Sequence, residues 1–204
     1  HQQKNFEKEL KMNSFFVKTC QDFSKTDTFI GNKGNLIATN CKANFDSVCY
    51  TGQSEAPKHI LHECNPNQVN RCLIHAAFDC QDKRFNVATT HFTWSANGKT
   101  SDLQKNDLKK LKQKLDKIDQ FILCGDFNNP RGEYIYDSLA SWYSDNIPQE
   151  VKTTIDPDLH RAGPLQLVVD GLFSTDSYQA NSVKIVSGLS DHQAVVAKFG
   201  LNLN

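Results

Sequence analysis

Phe121-Ile122-Leu123-Cys124-Gly125-Asp126-Phe127-Asn128-Asn129-Pro130 decides how this chain is read. The first residues are a short apolar run, which reads as a buried strand. The chain then turns on Gly, Asn and Pro, which favour turns through permissive φ, local side-chain bonding and fixed φ. Asp126 and Asn128 are therefore held at the end of a core strand, where a ligand can reach them. A carboxylate and an amide two residues apart can bind a hard cation, orient a water or cap the next turn. Ordinary turns favour the same residue types, so the rest of the chain must choose between these.

Upstream, Thr90-His91-Phe92 closes a β-rich run. Downstream, Val168-Val169-Asp170-Gly171-Leu172-Phe173 sets a carboxylate among apolar residues, where it is costly to bury without a partner. Asp-Gly is also a hairpin signal by itself. Ser190-Asp191-His192 then precedes the apolar run Ala194-Val195-Val196-Ala197. This ordered set resembles the endonuclease/exonuclease/phosphatase superfamily, the deoxyribonuclease-I-like fold, from about Gly31 to Leu201. The resemblance implies an α/β protein: a four-layer sandwich of two packed mixed β-sheets flanked by helices, in a single domain over residues 1–204.

It also implies metal-assisted hydrolysis of a phosphate ester. The attacking water must lose a proton while charge builds on the phosphoryl oxygens. By motif, Asp126 would orient or deprotonate the water, and Asn128 would hold the water or a phosphate oxygen. His192 would donate to a non-bridging oxygen, with Asp170 orienting its ring. His91 would position the phosphate. Asp191, with Asp126 and Asn128, would ligate Mg²⁺ or Mn²⁺, cations that take oxygen donors. Trp94 and Arg161 are the expected substrate contacts. Trp94 and Phe92 read equally as an aromatic wall beside the site or as core. Arg161 and His160 lie in a long polar stretch, 153–161, between the site motifs.

One departure stands at the front. The family opens with a strand ending in Asn, a helix, and a strand ending in Gln-Glu whose Glu is the principal metal ligand; none of these precedes His1. The fold is thus expected to be N-terminally incomplete. The front belongs to a longer protein, is supplied by a second chain, or has been lost together with the metal. The expected activity is a metal-dependent phosphodiesterase acting on DNA or RNA. Hydrolysis of a lipid or small-molecule phosphate and a non-catalytic binding subunit are the alternatives.

Lysine plus arginine and aspartate plus glutamate number 23 each. No global basic field attracts nucleic acid, so a phosphate site must be local. No apolar stretch is long enough to span a bilayer, and the polar opening His1-Gln2-Gln3-Lys4 does not read as a signal peptide. The chain reads as soluble, with its compartment open. Seven cysteines occur without a C-x-x-C pair, which argues against a zinc site. Cys124, in the core strand, reads as an inert buried thiol; disulfides among the other six stay open.

The remaining elements follow from pattern. Asn5 to Met12 reads as an amphipathic helix with Phe6 and Leu10 on its apolar face. Gly31 to Asn35 reads as a turn before the strand Leu36–Thr39, and 50–70 as a loop. Cys72–Phe78 and Phe85–His91 form a hairpin around Gln81-Asp82-Lys83. Ser101 and Gln104 form a capping box opening a helix whose face carries Leu103, Leu108, Leu111, Leu115 and Ile118. Tyr134 to Tyr143 is a helix with Leu139 and Trp142 turned inward.

Overall fold

In the computed structural model, residues 2–24, 26, 28–52, 55–60, 66–80 and 83–202 are described, apart from the side chains of residues 2, 6, 59 and 60. In chain order the elements are α1 (Gln2–Leu10), β1 (Asn13–Phe23), β2 (Phe29–Thr39), β3 (Ala43–Thr51), β4 (Lys58–Ile60), β5 (Arg71–Cys80), β6 (Lys83–His91), α2 (Asp102–Leu115), β7 (Ile122–Asp126), α3 (Tyr134–Trp142), β8 (Ser144–Asp145), β9 (Asp170–Ser174), β10 (Tyr178–Val186) and β11 (Ala194–Leu201). A mixed six-stranded sheet runs β3-β5-β6-β7-β9-β8. Two smaller groups, β2-β1-β4 and β10-β11, pack toward it. The helix α1 lies against β1 and β2, and α2 lies against β3. The layers are those of the expected α/β sandwich. No helix among the described residues is long and apolar enough to cross a membrane.

The strand β7 is the centre of the large sheet, parallel to β6 and antiparallel to β9. Its ladder sets His91 opposite Asp126, and Asp126 opposite Asp170, so three polar residues occupy one rung across three strands. Gly125 makes this possible. A Cβ there would lie 1.9 Å from the Thr90 carbonyl oxygen, and its φ of +151° is one that other residues rarely adopt. Asp170 begins β9 instead of a hairpin turn.

Behind the rung lies one apolar cluster. Phe121, Leu123, Phe127, Ile135, Tyr136, Leu139 and Phe173 are buried there with Leu108, Leu111 and Leu115 of α2. Leu123 is 0% exposed. Truncating it to alanine removes transfer energy and leaves a cavity, so Leu123→Ala should cost about 2–5 kcal/mol. Urea unfolding should show a lower midpoint with an unchanged slope; a neutral result would contradict the packing.

Several expectations need correction. Gly31 to Asn35 is no turn but the middle of β2, paired with β1 from Asp22 to Val17. Cross-strand pairing overrides local turn preference here. The second of the two glycines in this run serves a bulge: a Cβ on Gly34 would sit 2.0 Å from the Val17 carbonyl oxygen. The segment 50–70 is not all loop, since β3 reaches Thr51 and β4 pairs parallel with β1. Leu10 is 52% exposed, and the side chain of Phe6 lies outside the described residues. The capping box is present, but Leu103 is 46% exposed. The buried stripe is Gln104, Leu108, Leu111 and Leu115, at true helical spacing, and Leu103 is one residue off it. Leu139 is buried as expected, while Trp142 is 43% exposed under the Lys112 ammonium. Tyr143 instead turns to the core and meets Phe121 edge-on. The hairpin β5–β6 is as expected, although Gln81 and Asp82 in its turn lie outside the described residues.

Candidate active site

Sequence-distant residues meet at the top of β7. Asp126 ends the strand, and its Oδ1 accepts the Asn128 backbone N–H at 2.7 Å. That bond bends the chain into a tight turn, with Asn128 in the left-handed region at φ 50°, a conformation asparagine tolerates better than most residues. The Asn128 side-chain amide then donates to the Phe92 carbonyl at 2.9 Å, tying the ends of β6 and β7 together. Gln104 of the capping box donates to the Asn128 and Thr93 carbonyls, so the start of α2 braces the same turn.

The second half of the site is carried by His192, whose Nδ1 lies 2.8 Å from Asp170 Oδ2. Among the described residues, Asp126, Asp170 and His192 bring one potential ligand atom each within 4.8 Å of one another. The His91 Nε2 stands 3.5 Å from Asp126 Oδ2.

Three titrations follow from this crowding. The hydrogen bond from His192 to Asp170 holds its imidazolium well above the usual range, at about 9, against the opposing pull of burial; the Asp170, Asp126 and Asp191 charges add to the rise. At neutral pH both ring nitrogens of His192 are donors. Burial, reinforced by the Asp170 charge, raises Asp126 to about 6, although His192 and the Asn128 N–H pull it back. Burial first, then the Arg71, Lys33 and His192 charges, lowers His91 to about 3. His91 therefore sits beside Asp126 as a neutral ring. A carboxylate able to take a proton near neutrality, facing an imidazolium, suits proton abstraction on one side of a reacting group and charge stabilisation on the other.

The other predicted residues lie around this centre. Asp191 is exposed and does not join the three converging ligands; it lines a neighbouring cleft of about 770 Å³ together with His91, Trp94, His160 and Arg161. Trp94 is 41% exposed on that cleft, while Phe92 is buried against Tyr50 and Phe127, so the aromatic pair divides between site and core.

Sequence reading passed over three structural supports. Buried Thr154 accepts the backbone N–H groups of Val169 and Asp170 through its hydroxyl. Buried Asp156 accepts from Asp158, Leu159 and Gly188, and its own N–H donates to the Asp191 carbonyl. The isolated bridge Ile155–His192 lies between them. The polar stretch 153–161 thus clamps the Ser-Asp-His loop to β9. Buried Arg71 donates to the His91 and Pro66 carbonyls and forms part of the cleft wall. Only the fold brings Val169, Asp170, Gly188 and the His91 carbonyl into range of these residues.

No family model and no curated protein sequence matches the chain. Solved structures do. An endonuclease/exonuclease/phosphatase from Bacteroides vulgatus is 16% identical with a TM-score of 0.69, covering 98% of this chain and 80% of its own. The human Nocturnin catalytic domain, with bound sulfate, is 16% identical with a TM-score of 0.68, covering 98% and 75%. D. rerio TDP2, complexed with a single-strand DNA product, is 13% identical with a TM-score of 0.65, covering 97% and 80%. The fold is therefore that of the endonuclease/exonuclease/phosphatase structures, as the motif order implied.

Proposed function

We propose that this chain is a divalent-metal-dependent phosphodiester hydrolase acting on nucleic acid. One observation carries the reading: Asp126 and Asp170 share a sheet rung, and His192 is locked onto Asp170 beside them. The likeness to a phosphatase-family structure and to one holding a DNA product supports the substrate class. Asp126 takes the proton of the attacking water. His192, donating through its protonated ring, meets the negative oxygens of the phosphate, and Asp170 keeps that ring charged and aimed. His91, neutral and lining the cleft, orients the phosphate, while Trp94 and Arg161 contact the remainder of the substrate from the cleft wall.

The donor set fits a hard cation through its oxygens. Two carboxylates stand close together, and the Asp170 charge raises the cost of ionising Asp126, which a bound cation relieves. The His192 ring is committed to Asp170 and is not a ligand in this reading. Asp126, with Asn128 in the same turn, would hold Mg²⁺ or Mn²⁺, and Asp191 would reach the ion from the neighbouring cleft through water. The ion would supply Lewis-acid stabilisation of the phosphoryl oxygens. Waters would fill the rest of a shell of about six oxygens, and a second chain or segment contributing one more carboxylate is part of the proposal.

A small-molecule phosphate ester is the second reading, favoured by the zero net charge. Release of nitrophenol from a generic phosphodiester, with single-stranded DNA, double-stranded DNA and a phosphomonoester in parallel, separates the two. We expect turnover of diester and DNA with Mg²⁺ or Mn²⁺, abolished by chelator. Turnover of the monoester alone would select the second reading. Folded protein inactive on every substrate with either metal would leave a binding subunit.

A further inference from the structure

The β3–β5 ladder has two cysteines near each of its ends. Cys49 and Cys72 face each other across the ladder and form a disulfide. The same ladder ends at Ala43 opposite Phe78. Just past that end stand Cys41, two residues before β3 begins, and Cys80, the last residue of β5. Side chains alternate along a strand, so Ala43, Phe45, Ser47 and Cys49 share one face of β3. That face is turned to the smaller sheet, where Phe45 stacks on Phe15 of β1. Cys41 is the group that most pushes the Cys80 thiol up, which makes the two side chains neighbours. Both residues are half-buried, so a small thiol reagent can reach them.

We propose that Cys41 and Cys80 form a second cross-strand disulfide, placed at the opposite end of β3 from Cys49–Cys72. The bond has a structural purpose. β3 is the outer strand of the six-stranded sheet, held by β5 alone, and an edge strand is where a sheet frays or pairs wrongly. Bonds at both ends fix it. Two such bonds on one strand pair belong to a protein that matures in an oxidising compartment. The oxidant is a low-molecular-weight disulfide, such as oxidised glutathione. Each cysteine loses its S–H proton, one sulfur–sulfur bond forms between Cys41 and Cys80, and the glutathione disulfide takes up two electrons and two protons as two free thiols.

The test is cysteine mapping of the full chain at graded ratios of oxidised to reduced glutathione. The protein is acid-quenched, alkylated under denaturing conditions and digested with trypsin and chymotrypsin; cleavage after Phe78 separates Cys72 from Cys80. We expect a cross-linked peptide pair containing Cys41 and Cys80, lighter by two hydrogens than the separate peptides. Cys41→Ser should leave Cys80 fully alkylated and the Cys49–Cys72 cross-link intact. It should also lower the melting temperature of the oxidised protein by several degrees without changing that of the reduced protein. Complete alkylation of Cys41 and Cys80 after exhaustive oxidation overturns the proposal, whether or not Cys49–Cys72 has closed. So does Cys80 found joined to Cys20 or Cys64. The mapping needs no activity, so it stands apart from the proposed hydrolysis.

Discussion

Asp126→Asn should lower kcat/KM for a phosphodiester by about 10²–10⁴, the range for loss of a positioned general base, while raising stability in chelator at pH 8. The amide keeps the shape and can still accept the Asn128 N–H that Asp126 Oδ1 accepts at 2.7 Å. What it removes is a charge. Folding raises the Asp126 pKa from 3.8 to about 6, chiefly by burial and secondarily by the charge of Asp170. For a group raised on folding, the protonated form is the one the fold prefers. Its stabilising contribution is complete below pH 3.8 and is lost as the pH rises through about 6. Above that, the metal-free protein carries a disfavoured carboxylate, and the asparagine does not. The gain is of order 1–3 kcal/mol. Urea melts in chelator at pH 4 and pH 8 measure it: the two proteins should differ little at the lower pH and clearly at the higher. A variant that is inactive and less stable at both would mean that Asp126 holds the fold together rather than acting on a substrate.

That opposition between stability and activity explains why the site could be read from residues. The apolar run to Cys124 has one sensible use, a buried strand, and a carboxylate at its end has no packing reason to be there. The same holds for Asp170 between Val169 and Leu172. Local chemistry marked these residues out, but ordinary turns favour them too, and the order of the motifs along the chain chose between the readings. Where residues agree with their surroundings, local reading failed. Gly31 to Asn35 has ideal turn composition and became a strand only because β1 lies beside it. Thr154 and Asp156 look like ordinary loop polars, and the partners that anchor them to the site, Val169 and Gly188, are 15 or more residues away in the chain. The pairing of Cys49 with Cys72 depends on the β3–β5 register, which no spacing rule supplies. Trp142 and Leu103 failed for a smaller reason, one position of helical phase.

The His192–Asp170 pair reverses the sign found at Asp126, and the comparison tests the whole arrangement. Asp170→Asn should reduce kcat/KM by roughly 10²–10⁴, as expected when the carboxylate that fixes a reacting imidazole is neutralised. In chelator, NMR titration should move the His192 pKa from about 9 toward its ordinary 6.5, because the Asp170 hydrogen bond is the largest cause of the rise. Here the charged form is the stabilising one. Its contribution is complete below pH 6.5 and is lost as the pH rises through about 9. Asp170→Asn should therefore destabilise the metal-free protein by about 1.5–3 kcal/mol at pH 6, the range for a hydrogen bond to a charged group. Near pH 10 that difference should nearly vanish. At pH 8 one neutralising substitution thus stabilises and the other destabilises, although the two carboxylates are partners on one rung. A merely structural acidic cluster would not divide in this way. If His192 in Asp170→Asn still titrates near 9, the ring is held by something other than Asp170, and the pair loses its place in the mechanism.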